Sequence, residues 1–303
     1  MEQTVDTLLE EIKEDRTTGA RELVRKGADA VGKFISSFNG EPSFFLNELI
    51  RISRVLIDAQ PSMAPSFHLT NILLLAAEGH KDLDKMRQAT KEAIERFIFQ
   101  LESNVEQVSQ VATGLIPEGS KILTHSFSST VLRTLVDAKR KGKEFEVICT
   151  ESRPICEGLQ LAEKLSESGI KVQLQIDSAA PYTMKGVDLA LVGADCITLL
   201  GLVNKVGTYG LSLSAKEQGV PFYVLCGTEK LLGAGMARGY RIVRRDPKEV
   251  WLHPPAGVDV FNYYFDTTPL DLLTAIVTEE GMIRGTEIFR RFYKMKISKY
   301  FPM

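Results

Sequence analysis

The sequence predicts an α/β protein in which an all-helical N-terminal domain precedes a Rossmann-like, doubly wound parallel sheet. Residues 1 to about 112 carry apolar side chains at helix-face spacing and almost no β-branched runs. From Ile116 onward, short apolar runs alternate with amphipathic stretches, which implies βαβ crossovers and a parallel sheet covered on both faces. A third observation points to a site. The apolar run VDLALV stops at Gly193 and opens into GADCITLLGLVNKVGT, residues 193–208, where Asp195, Asn204 and Lys205 share one glycine-punctuated loop. Open parallel sheets place ligands at such strand-to-loop transitions. An ordinary polar connection is the other reading of the same residues.

The expected domains are 1–115 and 116–303. In the first, Leu23, Ala30, Val31 and Phe34 recur at helical spacing within LLEEIKEDRTTGARELVRKGADAVGKFI. A second helix fits SFFLNELIRISRVLIDA and stops at Gln60-Pro61, and QPSMAPSF, with two prolines and two serines, reads as a loop. A long helix follows from about Lys81 to Thr113, with Phe97, Leu101, Val105, Val108 and Val111 on its buried stripe. Gly114 and Pro117 end it. In the second domain KILTHS, FEVICTES, VQLQID, VDLALVGAD and PFYVLCG predict strands. The stretches between them predict helices: SSTVLRTLVDAKRKG, CEGLQLAEKLSESG, a short one near Ala179 to Lys185, and GTYGLSLSAKEQG. After a later run, VFNYYFD, the segment TTPLDLLTAIVTEEG predicts a Thr-capped helix, and EIFRRFYKMKI a terminal one.

Composition narrows the function. Thirty-seven basic residues against 39 acidic ones give a net charge of -2. That balance argues against a broad surface for nucleic acid while leaving room for a local basic pocket. The N-terminus reads as polar and helical, without a signal sequence or a run long enough to span a bilayer, so a soluble cytoplasmic protein is expected. Cys149, Cys156, Cys196 and Cys226 form no CxxC pairs, and His68, His80 and His253 lack metal-ligand spacing. Neither a metal site nor a disulfide framework is indicated. Cys149 and Cys226 read as small buried hydrophobes in strand-like runs.

In a parallel sheet the carboxyl ends of the strands share one edge. Those ends deliver His125 and Ser126; Glu151, Ser152 and Arg153; Asp177; Asp195; and the Gly227-Thr228 turn, with Asp266 following a later run. The set offers cations for a phosphate, a carboxylate for proton transfer and hydroxyls for sugar recognition. Structural roles compete for the same residues. Asp195 suits a cap, Arg153 before Pro154 suits a loop tie, and Ser126 suits a turn or N-cap, because no Ser-His-Asp arrangement is evident. His125 would point away from Ser126 if the strand persisted. After the first strand the chain reads THSFSST rather than GxGxxG, which speaks against a dinucleotide.

Five segments in order, ILTHSFSSTVLRTL, TESRPICEG, VGADCITLLGLVNKVGTYGLSLSAK, PFYVLCGTEK and FDTTPLDLLTAIVTEEG, resemble one superfamily. It joins the alpha, beta and delta subunits of translation initiation factor two-B to the isomerases of methylthioribose 1-phosphate and ribose 1,5-bisphosphate. TTGARELVRKGADAV and AQPSMAP extend the resemblance into the N-terminal half. It implies dimerisation through the C-terminal domain and no metal or nucleotide cofactor. The isomerases open an aldose 1-phosphate to a ketose with a cysteine and an aspartate. On this chain the aspartate matches Asp195, the phosphate-side arginine Arg153, and the substrate-loop pair Asn204 and Lys205. Gly19, Ala20 and Arg21 in the N-terminal motif and Asp266 in FDTTP complete the candidate substrate-binding set. The cysteine position holds Ser126, paired with Asp195 as the catalytic candidates, and Gln60 stands where the isomerases tend to have an arginine. A hydroxyl is a far weaker acid than a thiol, whose pKa is about 8.5. The isomerase mechanism is therefore expected to be crippled unless a neighbour activates Ser126. Cys196 is a candidate substitute thiol, although strand alternation turns it away from Asp195. The expected ligand is a phosphorylated sugar or a nucleoside monophosphate; the competing expectation is a non-catalytic assembly subunit like initiation factor two-B alpha.

Overall fold

The computed structural model describes residues 4–15, 19–284 and 287–302. Thr17 and Thr18 of the TTGARELV motif lie outside the described residues. The chain divides into two compact units, each discontinuous in sequence: Met1–Ser103 with Glu229–Arg241 and Arg291–Met303, and Asn104–Thr228 with Ile242–Arg290.

The first unit is built on α1 (Val5–Glu14), α2 (Ala20–Ser37), α3 (Pro42–Ala59), α4 (Ala64–Glu78) and most of α5 (Leu83–Ala112). Thr4 caps α1 by accepting from the Thr7 amide, and Pro42 occupies the first turn of α3, where its missing N–H costs nothing. The QPSMAPSF loop is shorter than expected, because Pro65 likewise sits in the first turn of α4. Helix α4 itself escaped the periodicity argument. Phe67, Leu69, Leu73 and Leu74 are all buried, and a helix apolar on every side shows no amphipathic stripe. The buried face of α5 passes through Leu101, Asn104, Val108 and Ala112, while Val111, about 80° away from Leu101 at 100° per residue, is exposed. Residues 229–241 and 291–303, assigned to the second domain by sequence, cluster with the helices. His68 holds the Leu231 carbonyl at 2.7 Å, and Asn71 exchanges hydrogen bonds with Lys296 and Ser298.

The second unit follows the alternation read from the sequence: β1 (Ser120–Thr124), α6 (Ser129–Arg140), β2 (Phe145–Thr150), α7 (Glu157–Glu167), β3 (Lys171–Gln175), α8 (Ala180–Thr183) and β4 (Leu189–Val192). The chain continues through β5 (Cys196–Thr198), β6 (Gly201–Lys205), α9 (Thr208–Gln218), β7 (Phe222–Leu225), β8 (Phe265–Thr268), β9 (Ala275–Thr278), β10 (Gly281–Ile283) and α10 (Glu287–Tyr293). Seven strands form one sheet in the order β10-β9-β7-β4-β1-β2-β3, parallel except for β10. Ile122, Leu189, Leu191, Val147 and Leu225 from its strands pack with Val131, Leu135 and Leu161 from α6 and α7. From β1 the chain winds one way through β2 and β3 and the other way from β4, so the crevice between β1 and β4 is the topological switch point where such sheets bind ligands.

Two expectations are corrected here. TTPLDLLTAIVTEEG is not a helix: it supplies the end of β8, a single 3-10 turn, and β9. Its AIVT segment pairs in parallel with β7, Tyr223 opposite Ala275 and Leu225 opposite Val277, and the Thr274 hydroxyl accepts from the Phe222 amide at 2.8 Å. An open strand edge overrides a local helical period. The stretch 193–208 is not a loop either. Its middle is the antiparallel hairpin β5-β6, extended by β8 into a second, three-stranded sheet.

Candidate functional site

Ser126 leaves β1 with φ of 70°, so the strand alternation that was expected to separate it from His125 ends before reaching it. Its amide donates to Ser152 Oγ at 2.8 Å, and its hydroxyl donates to Glu157 Oε1 at 2.7 Å. Glu157 opens α7, behind Cys156 in the left-handed region. The next residue has to be glycine, since a Cβ on Gly158 would stand 1.9 Å from the Thr150 carbonyl oxygen. That close approach presses the first turn of α7 against the end of β2 and delivers the Glu157 carboxylate to the sheet edge. Lys205 Nζ lies 2.9 Å from the same Oε1, with only 3% of the lysine side chain and 15% of the glutamate side chain exposed. The ammonium also rests over the Tyr264 ring, 4.6 Å from its centroid.

The neighbouring loop is clamped from below. Asp177 accepts from the Ser152 and Arg153 amides, both at 2.7 Å. The exposed Arg153 guanidinium reaches the Val250 carbonyl at 3.4 Å. His125 is buried, with Nε2 2.9 Å from the Val206 carbonyl and Nδ1 2.6 Å from Thr150 Oγ1. A carbonyl only accepts, so Nε2 carries the proton and Thr150 donates to Nδ1. Burial lowers the pKa of the imidazole, which stays neutral and ties the ends of β1, β2 and β6 together as a strut rather than serving as a base.

Asp195 follows β4 at the open end of the β5-β6 hairpin, its amide donating to the Val203 carbonyl at 3.0 Å. Gly193 fixes its distance from Ser126. A Cβ there would meet Ser128 Cβ and Oγ at 2.7 Å, so Gly193 abuts the N-cap of α6, and Asp195 and Ser126 each lie two residues from that contact. On β6, Asn204 pairs with Asp266 and Lys205 with Phe265. Adjacent strand residues face opposite sides, so the two do not act as one loop pair. Asn204 is buried and donates to Thr208 Oγ1 at 3.0 Å, which supports the turn into α9. Asp266 Oδ2 accepts from the Gly207 and Tyr209 amides, at 2.7 and 3.2 Å, at the start of α9. Its Oδ1 is buried with no partner, and so is Glu157 Oε2. Burial pushes the Asp266 carboxyl up to about 6, against the pull of the two amides.

Other candidates are spread more widely. Thr228 closes its turn on Glu279, the amide donating to Oε2 at 3.0 Å. Cys196 is fully buried in β5, and burial pushes the Cys149 thiol up to about 12, where it is inert. Gly19, Ala20 and Arg21 lie at the start of α2 in the helical unit: Gly19 is the N-cap, Ala20 is buried, and burial followed by the charge of Arg25 lowers the Arg21 pKa. In the same unit Gln60 is buried and donates to the Ile12 and Asp15 carbonyls at 3.4 and 3.2 Å, closing the end of α1. Among the described residues no group of three His, Cys, Asp or Glu side chains is arranged to hold a metal ion, and no helix is long and apolar enough to cross a membrane. The sequence reading missed Glu157. It stands at the first position of α7, the helix after β2, where a first-turn acid reads as a complement to the helix dipole.

The model of the initiation factor 2 subunit family matches residues 2–285. The chain belongs to that family. A family relative from Pyrococcus furiosus, named as eIF-2B subunit 2-like, is 34% identical over 277 residues, covering 91% of this chain and 95% of the other. Ribose 1,5-bisphosphate isomerase of Archaeoglobus fulgidus is 32% identical over 278 residues, covering 90% and 88%. Among solved structures, the translation initiation factor eIF-2B of Pyrococcus horikoshii OT3 superposes with a TM-score of 0.80 at 32% identity, covering 93% of this chain and 98% of that one. The family therefore holds both proteins named as translation factors and proteins named as sugar-phosphate isomerases at similar distances from this chain.

Proposed function

We propose that the chain binds a phosphorylated aldose at the β1–β4 switch point and converts it to the ketose, with Ser126 in the cysteine position and Asp195 as the second proton-transferring group. The observation that carries this reading is the buried Glu157 carboxylate, whose Oε1 meets both the Ser126 hydroxyl and the Lys205 ammonium and whose Oε2 has no partner, with Asp266 Oδ1 a second buried acceptor without a donor at the start of α9. Buried acceptors without donors are rare in folded proteins, and the hydroxyls of a sugar are donors that satisfy them. Lys205 and Arg153 are the cations available to the phosphate. The isomerase relatives support the substrate class.

Isothermal titration with ribose 1,5-bisphosphate, methylthioribose 1-phosphate and a nucleoside monophosphate tests it. Heat is expected from at least one sugar phosphate; Asp195→Asn abolishes turnover and Arg153→Ala weakens affinity for the phosphate. A second reading, a non-catalytic subunit acting through protein contacts, is favoured by the prior engagement of both cations, Lys205 with Glu157 and Arg153 with Val250. No heat from any of the three compounds, with co-purification of a translation factor, would establish that reading instead.

A further inference from the structure

We infer that Glu157 is the positioning residue that lets a serine do the work of a thiol: it accepts the Ser126 proton while Ser126 takes one from the substrate. The inference rests on the proposed isomerisation and adds a group that the matched motifs do not supply. The geometry is one-directional. Glu157 Oε1 accepts the Ser126 hydroxyl at 2.7 Å, and a carboxylate without a proton has nothing to donate back. Lys205, 2.9 Å from the same oxygen, neutralises a carboxylate that would otherwise stand alone in a buried place. The positive φ of Ser126 and the hydrogen bond its amide donates to Ser152 Oγ hold the hydroxyl in this direction, and Gly158 holds Glu157 against the sheet edge. A thiol ionises near neutral pH without help, whereas a hydroxyl needs an acceptor within hydrogen-bond reach. This chain has one.

The step balances within the substrate. The bond from C1 to the ring oxygen breaks as Asp195 protonates that oxygen, and the C2 hydrogen moves with its electron pair to C1. The C2 hydroxyl proton passes to Ser126 as the Ser126 proton passes to Glu157, leaving a C2 carbonyl. C1 is reduced and C2 oxidised in one molecule, so no outside oxidant or reductant enters, and water returns the proton from Glu157 to Asp195 after product leaves.

The test is a cycle of Glu157→Gln and Ser126→Cys, singly and together, in the full-length chain, with kcat and KM on ribose 1,5-bisphosphate and methylthioribose 1-phosphate and binding heats on each variant. Glu157→Gln should lower kcat by about 100-fold or more with KM changed less than about 3-fold, in the range general acid-base groups contribute. In the Ser126→Cys background the same substitution should cost less than about 5-fold, because a thiol needs no acceptor behind it. Thermal midpoints identify any variant that fails to fold, and Glu157→Asp, which keeps a negative charge for Lys205 while drawing the carboxylate back from the Ser126 hydroxyl, replaces the single variant if the unpaired lysine unfolds it. Equal losses in both backgrounds, or no loss in the serine background, would overturn the inference and leave the isomerase reading standing. A wild-type chain that binds a sugar phosphate without turning it over would overturn the inference but not the binding site; one that binds neither compound would remove both.

Discussion

Two carboxylates, one beside each sheet, meet burial in different ways. Glu157, at the edge of the seven-stranded sheet, has the Lys205 ammonium 2.9 Å away and the Ser126 hydroxyl at 2.7 Å. Asp266, in the three-stranded sheet, has only the Gly207 and Tyr209 amides, and its pKa rises to about 6. Each also keeps one buried oxygen without a donor. Glu157 has a full opposite charge beside it where Asp266 has two backbone dipoles, so the site divides into an ion-paired half and a half whose carboxyl burial has pushed up to about 6.

The sharpest way to break the comparison is to remove one member of the ionic half. Lys205→Met should destabilise the second unit by about 3–5 kcal/mol, since it strands a buried carboxylate, while Lys205→Met with Glu157→Leu should recover most of the loss. Urea midpoints of the two variants measure this.

The titrating half predicts a pH signature. A folded pKa of about 6 lies above the ordinary carboxylate value of 3.8, so the folded chain holds a proton that the unfolded chain has released. Stability should therefore fall as pH rises from about 4 to about 6 and level off above, by up to about 3 kcal/mol from this one group. Asp266→Asn should flatten that slope in thermal melts between pH 4 and 7. An unchanged slope would show that Asp266 is better solvated than its surroundings imply.

Smaller effects refine the backbone beneath both halves. Gly158→Ala should cost about 1–3 kcal/mol, because the Thr150 carbonyl it meets is main chain and can only move. It should also impair turnover by shifting Glu157. Ser128→Ala should cost about 1 kcal/mol through loss of the α6 cap, with little effect on the carboxylates, and melting curves at fixed pH resolve both.

Much of the second unit was legible because each βα pair announces itself locally: KILTH, FEVICT and VDLALV are short apolar runs with amphipathic stretches between them. The segment around AIVT was misread because its strand character depends on β7, more than 50 residues earlier, offering it an edge. Helix α4 was missed because full burial erases the stripe by which helices are recognised. Among the candidate residues, Ser126 and Asp195 were placed by the strands β1 and β4 that precede them, whereas Asp266 lies inside β8 rather than after a strand. Glu157 was not legible, because nothing local distinguishes a first-turn acid that caps a helix from one that receives a serine proton.

The sequence by itself determined the α/β class, the strand–helix alternation from β1 to β4 and again from α9 to β7, and the residues that follow those strands at the carboxyl edge, since all of these follow from periodicity and from the geometry of parallel crossovers. Only the tertiary structure decided which charges meet. Lys205 faces Glu157 and Asn204 turns to α9 because adjacent residues on β6 face opposite sides. Partnership between charges is set by distances of a few ångströms across elements that are dozens of residues apart, and no local pattern encodes it.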